Sequence, residues 1–168
     1  IKYLMKQIKI DIYSRTNTGL IMCNLTNLVN NISNNFKNGQ MLDTIIPFVE
    51  KYDNDDWKKY INFSNQKYIR NLIFRNDKFE MYVICWNNNQ KSPIHDHSEN
   101  GCVMKILHGR LTQILYTNDF TSCKSTNFKK DDVSYIHNNI GLHKILNYNE
   151  QTCSLHIYSP PLYKANIY

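Results

Sequence analysis

The sequence contains no CxxC pair, no long apolar segment and no basic helix, and each absence argues against a class of protein. Its five cysteines lack such a pair and cannot all bond with one another, which indicates a reduced compartment. We therefore expect an intracellular, cytoplasmic protein. At the N-terminus lysine alternates with apolar residues, which argues against a signal peptide and a membrane span. The chain begins with Ile1 rather than methionine, so we expect a few residues to be missing there.

Positive charge is not concentrated anywhere in the chain. The net charge is +6, but the densest basic clusters, Lys58-Lys59 and Lys129-Lys130, each lie close to two aspartates. No zinc-finger spacing or RNA-binding aromatic run accompanies them. A nucleic-acid-binding or membrane-binding module is thus supported by net charge alone, and a lysine-rich solvated surface explains the charge better. We expect neither a nucleic acid nor a membrane as partner.

Helices are predicted in the first third of the chain. Over residues 25–36 the apolar side chains recur at three- and four-residue spacings, which places them on one helix face. A second helix is predicted over 43–52, with Asp43 or Thr44 as its cap. A third, over 55–63, begins with acidic residues, which suits the helix dipole.

From about Tyr68 onward the apolar residues alternate with a period of two. Two such runs flank the turn-forming pair Asn76-Asp77, which predicts a hairpin with Arg75 on its surface. Further strands are predicted over 102–109, 110–117, 132–137, 141–148 and 153–159. Evenly spaced short strands favour an antiparallel sandwich or barrel, and no linker or repeat indicates a second domain.

The stretch SPIHDHSENGC places two histidines on either side of one aspartate. On a strand, residues two apart point to the same face, so His95 and His97 would converge while Asp96 points away. Such a pair alone more often decorates a surface than binds a metal ion. A metal ion would need a third ligand, for which the remaining histidines are candidates: His108, His137, His143 and His156.

Ser154, His156 and Tyr158 are spaced two apart in another predicted strand. They would form a row on one face, a hydrogen-bond chain that ends in a phenol. The alternative is a buried polar ladder that only ties strands together.

The spacing of His95, His97 and Gly109 resembles the first sequence signature of the cupin superfamily, with Cys102 where that signature has a glutamate. The run GLHKILN at 141–147 resembles the second signature. This resemblance implies a mainly β fold, a cupin-type double-stranded β-barrel (jelly roll) with N-terminal α-helices. We expect a single domain over 1–168, with a helical segment at 1–66 packed on a barrel at 67–168, and we expect a monomer.

Five short segments together resemble the cysteine dioxygenase family, in the same order along the chain: YIRNL, ICW, SPIHDHSENGC, IGLHKILN and SLHIYSPP. The resemblance implies that His95, His97 and His143 hold Fe(II). Three neutral imidazoles leave one face of an octahedron open and add no negative charge. It further implies that the substrates are L-cysteine and O2 and that the product is cysteine sulfinic acid.

The same resemblance assigns roles around the iron. Arg70 binds the substrate carboxylate, for which a guanidinium fork is well shaped, and Tyr68 on the same face also reaches the pocket. Taken alone, an arginine on a strand would be a solvent-facing charge. His108 and His137 are expected to be structural or surface residues. Four cysteines are expected to act as small apolar residues: Cys23, Cys85, Cys123 and Cys153.

In members of this family a thioether joins a cysteine to a tyrosine, here Cys102 and Tyr158. The link would hold the phenol over the iron, and His156 and Ser154 would orient it. The Ser159–Pro160 bond is expected to be cis, as in the family.

Other functions remain open on the sequence. A 3-mercaptopropionate dioxygenase would lack the counterparts of Cys102 and Arg70, and a dioxygenase of protein N-terminal cysteines would lack the carboxylate-binding arginine. A non-catalytic metal-binding cupin would not need a positioned phenol. Animal members of the family extend further than Tyr168, so a pocket wall supplied by their tail is expected to be absent or replaced here.

Overall fold

A computed structural model describes residues 24–39, 41–117, 119–148 and 150–168, so the prediction for Cys23 lies outside the described residues. Its helices are α1 (Leu25–Lys37) and α2 (Ile46–Glu50), with 3-10 turns at Leu42–Ile45 and Asp56–Tyr60. The strands are β1 Ile69–Arg75, β2 Glu80–Trp86, β3 Cys102–His108, β4 Arg110–Tyr116, β5 Ser122–Lys129, β6 Val133–Ile136, β7 Leu142–Leu146 and β8 Thr152–Tyr158.

The strands form two antiparallel sheets that face each other. One sheet has five strands in the order β1-β2-β8-β3-β6, and the other has three in the order β5-β4-β7. Met104 and Ile106 of the first sheet pack against Leu111 and Ile145 of the second, in an apolar core between them. The predicted β1–β2 hairpin is present, with Arg75 opposite Glu80.

The central strands of the five-stranded sheet, β2, β8 and β3, are buried on both faces. While Met104 and Ile106 point into the barrel, Val103 and Leu107 of the same strand belong to a second core, shared with the helical segment. β3 is therefore buried from Cys102 to Leu107. Alternation in such a strand separates two buried faces rather than core from solvent.

The helix α1 confirms the prediction made from its apolar spacing. Asn24 caps it by accepting a hydrogen bond from the Asn27 N–H, and Leu28 and Ile32 are fully buried in the outer core. Among the described parts of the chain, none of the helices has the length and apolar character needed to cross a membrane.

The second and third predicted helices are shorter than expected. Pro47 lies in the first turn of α2, where its missing N–H is tolerated, and α2 begins at Ile46; neither Asp43 nor Thr44 caps a helix. The segment predicted as helix over 55–63 forms only a 3-10 turn. There Asp56 accepts hydrogen bonds from the Leu25 N–H and the Tyr52 hydroxyl, which ties this turn to α1.

The strand β5 was not predicted. Its sequence, SCKSTNFK, is mostly polar, and it lies at the edge of the three-stranded sheet with most of its described side chains exposed. A strand without a buried face has no alternation to detect. Cys123, expected to be a buried apolar residue, is exposed on this strand, whereas Cys85 and Cys153 are buried as expected.

A buried lysine joins the helical segment to the barrel. Lys105 is only 2% exposed, and its Nζ donates to the carbonyl oxygens of Val49, Glu50 and Tyr52 at 3.1, 3.0 and 2.5 Å. These carbonyls lie at and just beyond the C-terminal end of α2, where a positive charge is favourable. The ammonium group thus compensates for its burial by bonding three acceptors.

Replacing this lysine should destabilise the protein. In Lys105→Met the methylene stem is retained while the three carbonyls lose a charged donor, so we expect the free energy of unfolding to fall by about 3 kcal/mol. Urea denaturation at a fixed metal content measures this. Lys124→Met, on the exposed β5, is the matched control and should change stability by less than about 0.5 kcal/mol. Equal effects of the two substitutions would contradict the tethering role.

Candidate metal centre and pocket

A cavity of about 320 Å³ lies between the two sheets, at the small end of the range for ligand pockets. It is lined by most of the residues singled out from the sequence: Tyr68, Arg70, His95, His97, Cys102, His143, His156 and Tyr158. Tyr163, Lys164, Ala165 and Ile167 also line it. These four residues belong to the segment that follows the SPP sequence, so the last described residues form part of the cavity lining.

His95 and His143 are joined directly through their backbones. Each donates its N–H to the carbonyl of the other, at 3.0 and 3.2 Å, in an isolated antiparallel bridge. His143 lies in β7, but His95 lies in the irregular connection between β2 and β3. The prediction that the two histidines around Asp96 occupy a regular strand is therefore wrong, because this connection pairs only at isolated positions.

His97 is held by a side chain instead of a strand. The Asn138 amide oxygen accepts from the His97 N–H at 2.8 Å, and the Asn138 amide nitrogen donates to the His97 carbonyl at 2.9 Å. Asn138 thus copies the two bonds of a β-bridge. The sequence analysis did not single out this asparagine, because nothing in the local pattern pointed to a contact 41 residues away.

Asp96 is bound by the C-terminal segment. Its carboxylate accepts from the Asn166 backbone N–H and from the Asn166 amide, both at 2.7 Å, and Ile167 forms a bridge with His95. These bonds place the C-terminal segment against the pair of histidines. Asn166 is another residue that the sequence did not single out.

The three imidazole rings of His95, His97 and His143 converge through their Nε2 atoms. The distances are 2.9 Å between His97 and His143 and 3.1 Å between His143 and His95. The Nδ1 atoms of His95 and His143 face acceptors, the Pro93 carbonyl and the Gln113 amide oxygen, each at 3.0 Å. These Nδ1 atoms must donate, so the neutral rings present Nε2 lone pairs to each other.

Converging lone pairs repel unless a cation lies between them. Nitrogens bound at about 2.1 Å and at right angles around one ion would be about 3.0 Å apart, close to the observed distances. The donor set therefore fits a metal ion. Within the described residues no carboxylate or cysteine belongs to this group.

Burial keeps these rings neutral. It lowers the pKa of His97 to about 3 and holds the pKa of His95 and of His143 below the usual range, with neighbouring imidazoles contributing to the low values of His97 and His143. Protons therefore do not compete for the nitrogens near neutral pH.

The predicted polar row on β8 is present and buried. The Trp86 indole N–H donates to Ser154 Oγ at 3.0 Å, and Ser154 Oγ lies 2.8 Å from His156 Nε2. Since the indole can only donate, the serine proton is free for His156 Nε2, and His156 Nδ1 then carries the ring proton. That nitrogen lies 3.4 Å from the Tyr158 hydroxyl.

Cys102 and Tyr158 lie directly opposite each other across the β3–β8 pair. Burial raises the pKa of the Cys102 thiol to about 12, and it raises the pKa of the Tyr158 phenol well above its usual value. Both groups are therefore protonated near neutral pH. The Ser159–Pro160 peptide bond is cis, as expected.

Arg70 and Lys164 are the cationic residues that line the cavity, and Arg70 lies next to the polar row of β8. Its guanidinium carbon lies 4.7 Å from the ring centroids of both Tyr82 and Tyr158. In the described part of the chain it takes part in no ion pair. Tyr68, expected nearby, stacks on Trp86 with ring centroids 4.3 Å apart.

The two remaining histidines lie outside the cluster. His108 is exposed, and His137 Nε2 lies 2.8 Å from the Glu99 carbonyl oxygen. Both agree with the structural or surface roles expected for them.

Solved structures share this fold, but their sequence identities to this chain are so low that the similarity concerns the fold alone. An uncharacterized conserved protein with a double-stranded β-helix domain from Klebsiella pneumoniae has a TM-score of 0.57 at 15% identity, covering 66% of this chain and 86% of that one. A cupin superfamily protein from Desulfitobacterium hafniense has a TM-score of 0.50 at 11% identity, covering 59% and 83%. The fold and the histidine cluster define a cupin barrel with a candidate metal centre.

Within that class the family is also clear. The profile of the family described as cysteine dioxygenase type I matches residues 14–168, and the chain belongs to this family. Human cysteine dioxygenase type 1 is 32% identical over 131 residues, which cover 71% of this chain and 66% of the human protein. The chain therefore spans just under two thirds of the length of that relative. The resemblance drawn from the short motifs is confirmed.

Removing one imidazole should remove the metal. We expect the wild type to bind one Fe(II) per chain and His143→Ala to bind it more than about 100-fold more weakly, since loss of outer contacts alone costs 10- to 100-fold. Metal content after desalting and the metal-dependent rise in melting temperature measure this. His108→Ala, outside the cluster, should bind like the wild type. Full iron content in His143→Ala would exclude it as a ligand.

Proposed function

We propose that this protein is a thiol dioxygenase that uses Fe(II) and O2 to oxidise L-cysteine to cysteine sulfinic acid. The observation that carries the proposal is a cavity of about 320 Å³ that is lined by three neutral imidazoles and by an arginine that forms no ion pair within the described residues. Family membership supports the same chemistry. We further propose that the enzyme is a cytoplasmic monomer formed by one domain.

The proposed reaction is balanced without a further reductant. The thiol and O2 combine to give the sulfinic acid, so that both oxygen atoms end on sulfur and the sulfur supplies all four electrons. Bound by His95, His97 and His143, iron would supply the centre at which thiol and O2 meet and exchange electrons. A set of neutral ligands leaves the charge of the ion uncompensated, which favours an anionic thiolate as its partner.

Arg70 would bind the substrate carboxylate. Its guanidinium carbon lies over two phenol rings, and its N–H groups have no acceptor within the described residues, so these groups remain free for a planar anion. The zwitterion of cysteine offers such an anion at one end and a thiol at the other. Binding at both ends would fix the thiol at the metal centre.

Tyr158 would act as a hydrogen-bond donor to the reacting groups. Because His156 Nδ1 carries the ring proton, this nitrogen can donate to the phenol oxygen, and the phenol proton can point into the cavity. Burial keeps the pKa of Tyr158 high, so the proton stays on the phenol during turnover. Ser154 and His156 would orient this donor.

A thioether between Cys102 and Tyr158 would fix the phenol permanently. Its formation replaces one S–H and one ring C–H bond with a C–S bond, and the two electrons and two protons released would pass to O2. The facing positions of the two residues on β3 and β8 favour this link.

Arg70 should determine substrate choice. We expect Arg70→Ala to raise KM for cysteine by roughly 30- to 1,000-fold, the value of a charge-assisted carboxylate contact. Cysteamine, which has the thiol and amine but no carboxylate, should lose less than about threefold. O2 uptake by iron-loaded protein measures both.

Arg110→Ala, on the exposed first residue of β4, is the matched control and should change neither substrate. Equal losses for cysteine and cysteamine in Arg70→Ala would make the arginine structural and reopen the mercaptopropionate and N-terminal-cysteine alternatives. If the iron-loaded wild type consumes no O2 with any of these thiols, the remaining alternative is a non-catalytic cupin.

The thioether should be visible on a denaturing gel. We expect purified protein to show a second, faster band that is absent from Cys102→Ser, and the mass of the linked chain should be lower by two hydrogens. Activity in Cys102→Ser should fall by roughly 10-fold without vanishing, because the link positions the phenol and does not perform the oxidation. Complete loss of activity with iron retained would give Cys102 a more direct role.

A further inference from the structure

The guanidinium of Arg70 lies in the corner formed by two tyrosine rings, Tyr158 and Tyr82, which meet edge to face. Tyr158 belongs to the proposed active site, but Tyr82, on β2, was not singled out from the sequence. The Arg70 guanidinium carbon is equally far, 4.7 Å, from both ring centroids, and the two rings meet edge to face at 6.2 Å. Each ring face attracts the cation, so together they define its position.

The sheet register places Tyr82 beside the catalytic row. Tyr82 lies opposite His156 on β8, and on its other side it lies opposite Leu72 on β1, two residues after Arg70. Residues that oppose each other in an antiparallel pair point to the same face. The Tyr82 ring therefore lies on the barrel face that also carries Arg70 and His156.

The hydroxyl of Tyr82 is fixed by an ion pair at the end of the hairpin. Arg75 Nη2 donates to it at 2.8 Å, and the hydroxyl donates to Glu80 Oε2 at 3.0 Å. Arg75 Nε closes the triangle with a bond to the same Glu80 oxygen at 2.9 Å. Arg75 is exposed on the hairpin, as expected, and it also anchors this hydroxyl, while the Glu80 side chain is almost fully buried.

A phenol that is bonded as both donor and acceptor cannot turn away from its position. Its ring face is thereby fixed in front of Arg70. Since the guanidinium has no hydrogen-bond partner within the described residues, the two rings are the groups that can orient it. Tyr158 also has a proposed catalytic role, whereas Tyr82 has none, so a change at Tyr82 tests the orientation of Arg70 separately.

We propose that Tyr82, with its hydroxyl anchored by Arg75 and Glu80, positions the Arg70 guanidinium and thereby sets the preference for thiols that carry a carboxylate. The inference rests on the proposed role of Arg70 as the carboxylate-binding residue. Tyr82 is a positioning residue in this scheme, because it acts on the substrate through Arg70 and does not touch the reacting atoms.

The test measures binding and turnover separately. Dissociation constants of cysteine and cysteamine are measured by calorimetry on iron-loaded protein without O2, and KM and kcat for both are then measured with O2. We expect Tyr82→Leu, which removes the ring, to weaken cysteine binding roughly 10-fold, a value between those of an exposed and a desolvated cation–π contact. Cysteamine binding and kcat for cysteine should change by less than about twofold.

Two further variants separate the ring from its anchor. Tyr82→Phe keeps the ring and loses the hydroxyl, and Arg75→Met keeps Tyr82 and loses part of the anchor; each should weaken cysteine binding by roughly two- to fivefold. Tyr82→Phe also guards against misfolding of Tyr82→Leu, because it retains the ring volume. Lys78→Met, exposed in the same hairpin, is the control and should leave both ligands unaffected.

The measurements distinguish failure of the Tyr82 role from failure of the proposed oxidation and of the Arg70 role. If Tyr82→Leu and Tyr82→Phe both keep the wild-type ratio of cysteine to cysteamine affinity, or weaken both ligands equally, Tyr82 is a structural residue and the inference is wrong. If the wild type binds cysteine more tightly than cysteamine but consumes no O2, the proposed oxidation is wrong while the positioning role of Tyr82 stands. If the wild type binds both ligands equally, Arg70 does not bind the carboxylate. The proposed roles of Arg70 and of Tyr82 are then both wrong.

Discussion

The convergence of three uncharged imidazoles is the constraint on which the rest of the structure depends. With lone pairs facing one another at 2.9 and 3.1 Å, His95, His97 and His143 would separate if they were held only by their own chain. The protein holds them through backbone pairing between His95 and His143 and through the amide of Asn138. This preorganisation is what a metal ion requires of its ligands, and it explains why so many polar side chains are buried around one small cavity.

The five-stranded sheet makes this arrangement possible because its outer face packs against the helical segment and its inner face points into the barrel. The helical segment packs on the outer face and stabilises the sheet, and Lys105 bonds to the residues at the end of α2. The inner face carries side chains that line the cavity. On that face Cys102 lies opposite Tyr158, and Met104 lies opposite His156. A register shift of one residue would exchange the two faces and abolish the site, so packing and chemistry are specified together.

Periodicity predicted those parts of the fold that have one clear apolar face. It indicated α1 and every described strand except β5, which has no buried face to detect. The candidate ligands followed from short motifs and the family resemblance, although the first two histidines lie in an irregular connection. Asn138, Gln113 and Tyr82 could not be predicted, because their roles depend on partners 41, 30 and 12 residues away. Polar contacts over such separations leave no local pattern in one sequence.

Under the proposed function, the charges in the cavity would favour a small thiol that carries a carboxylate. The three imidazoles are neutral, and the cysteine and tyrosine beside them stay protonated, so Arg70, Lys164 and the proposed metal ion would be the positive groups that face a ligand. A ligand with two anionic groups, a carboxylate and a thiolate, would compensate Arg70 and the metal ion at once. A thiol that lacks the carboxylate would leave the exposed guanidinium of Arg70 without a counterion beside its two rings. Under the proposed function, selectivity would therefore follow from a positive charge that has no ion-pair partner among the described residues.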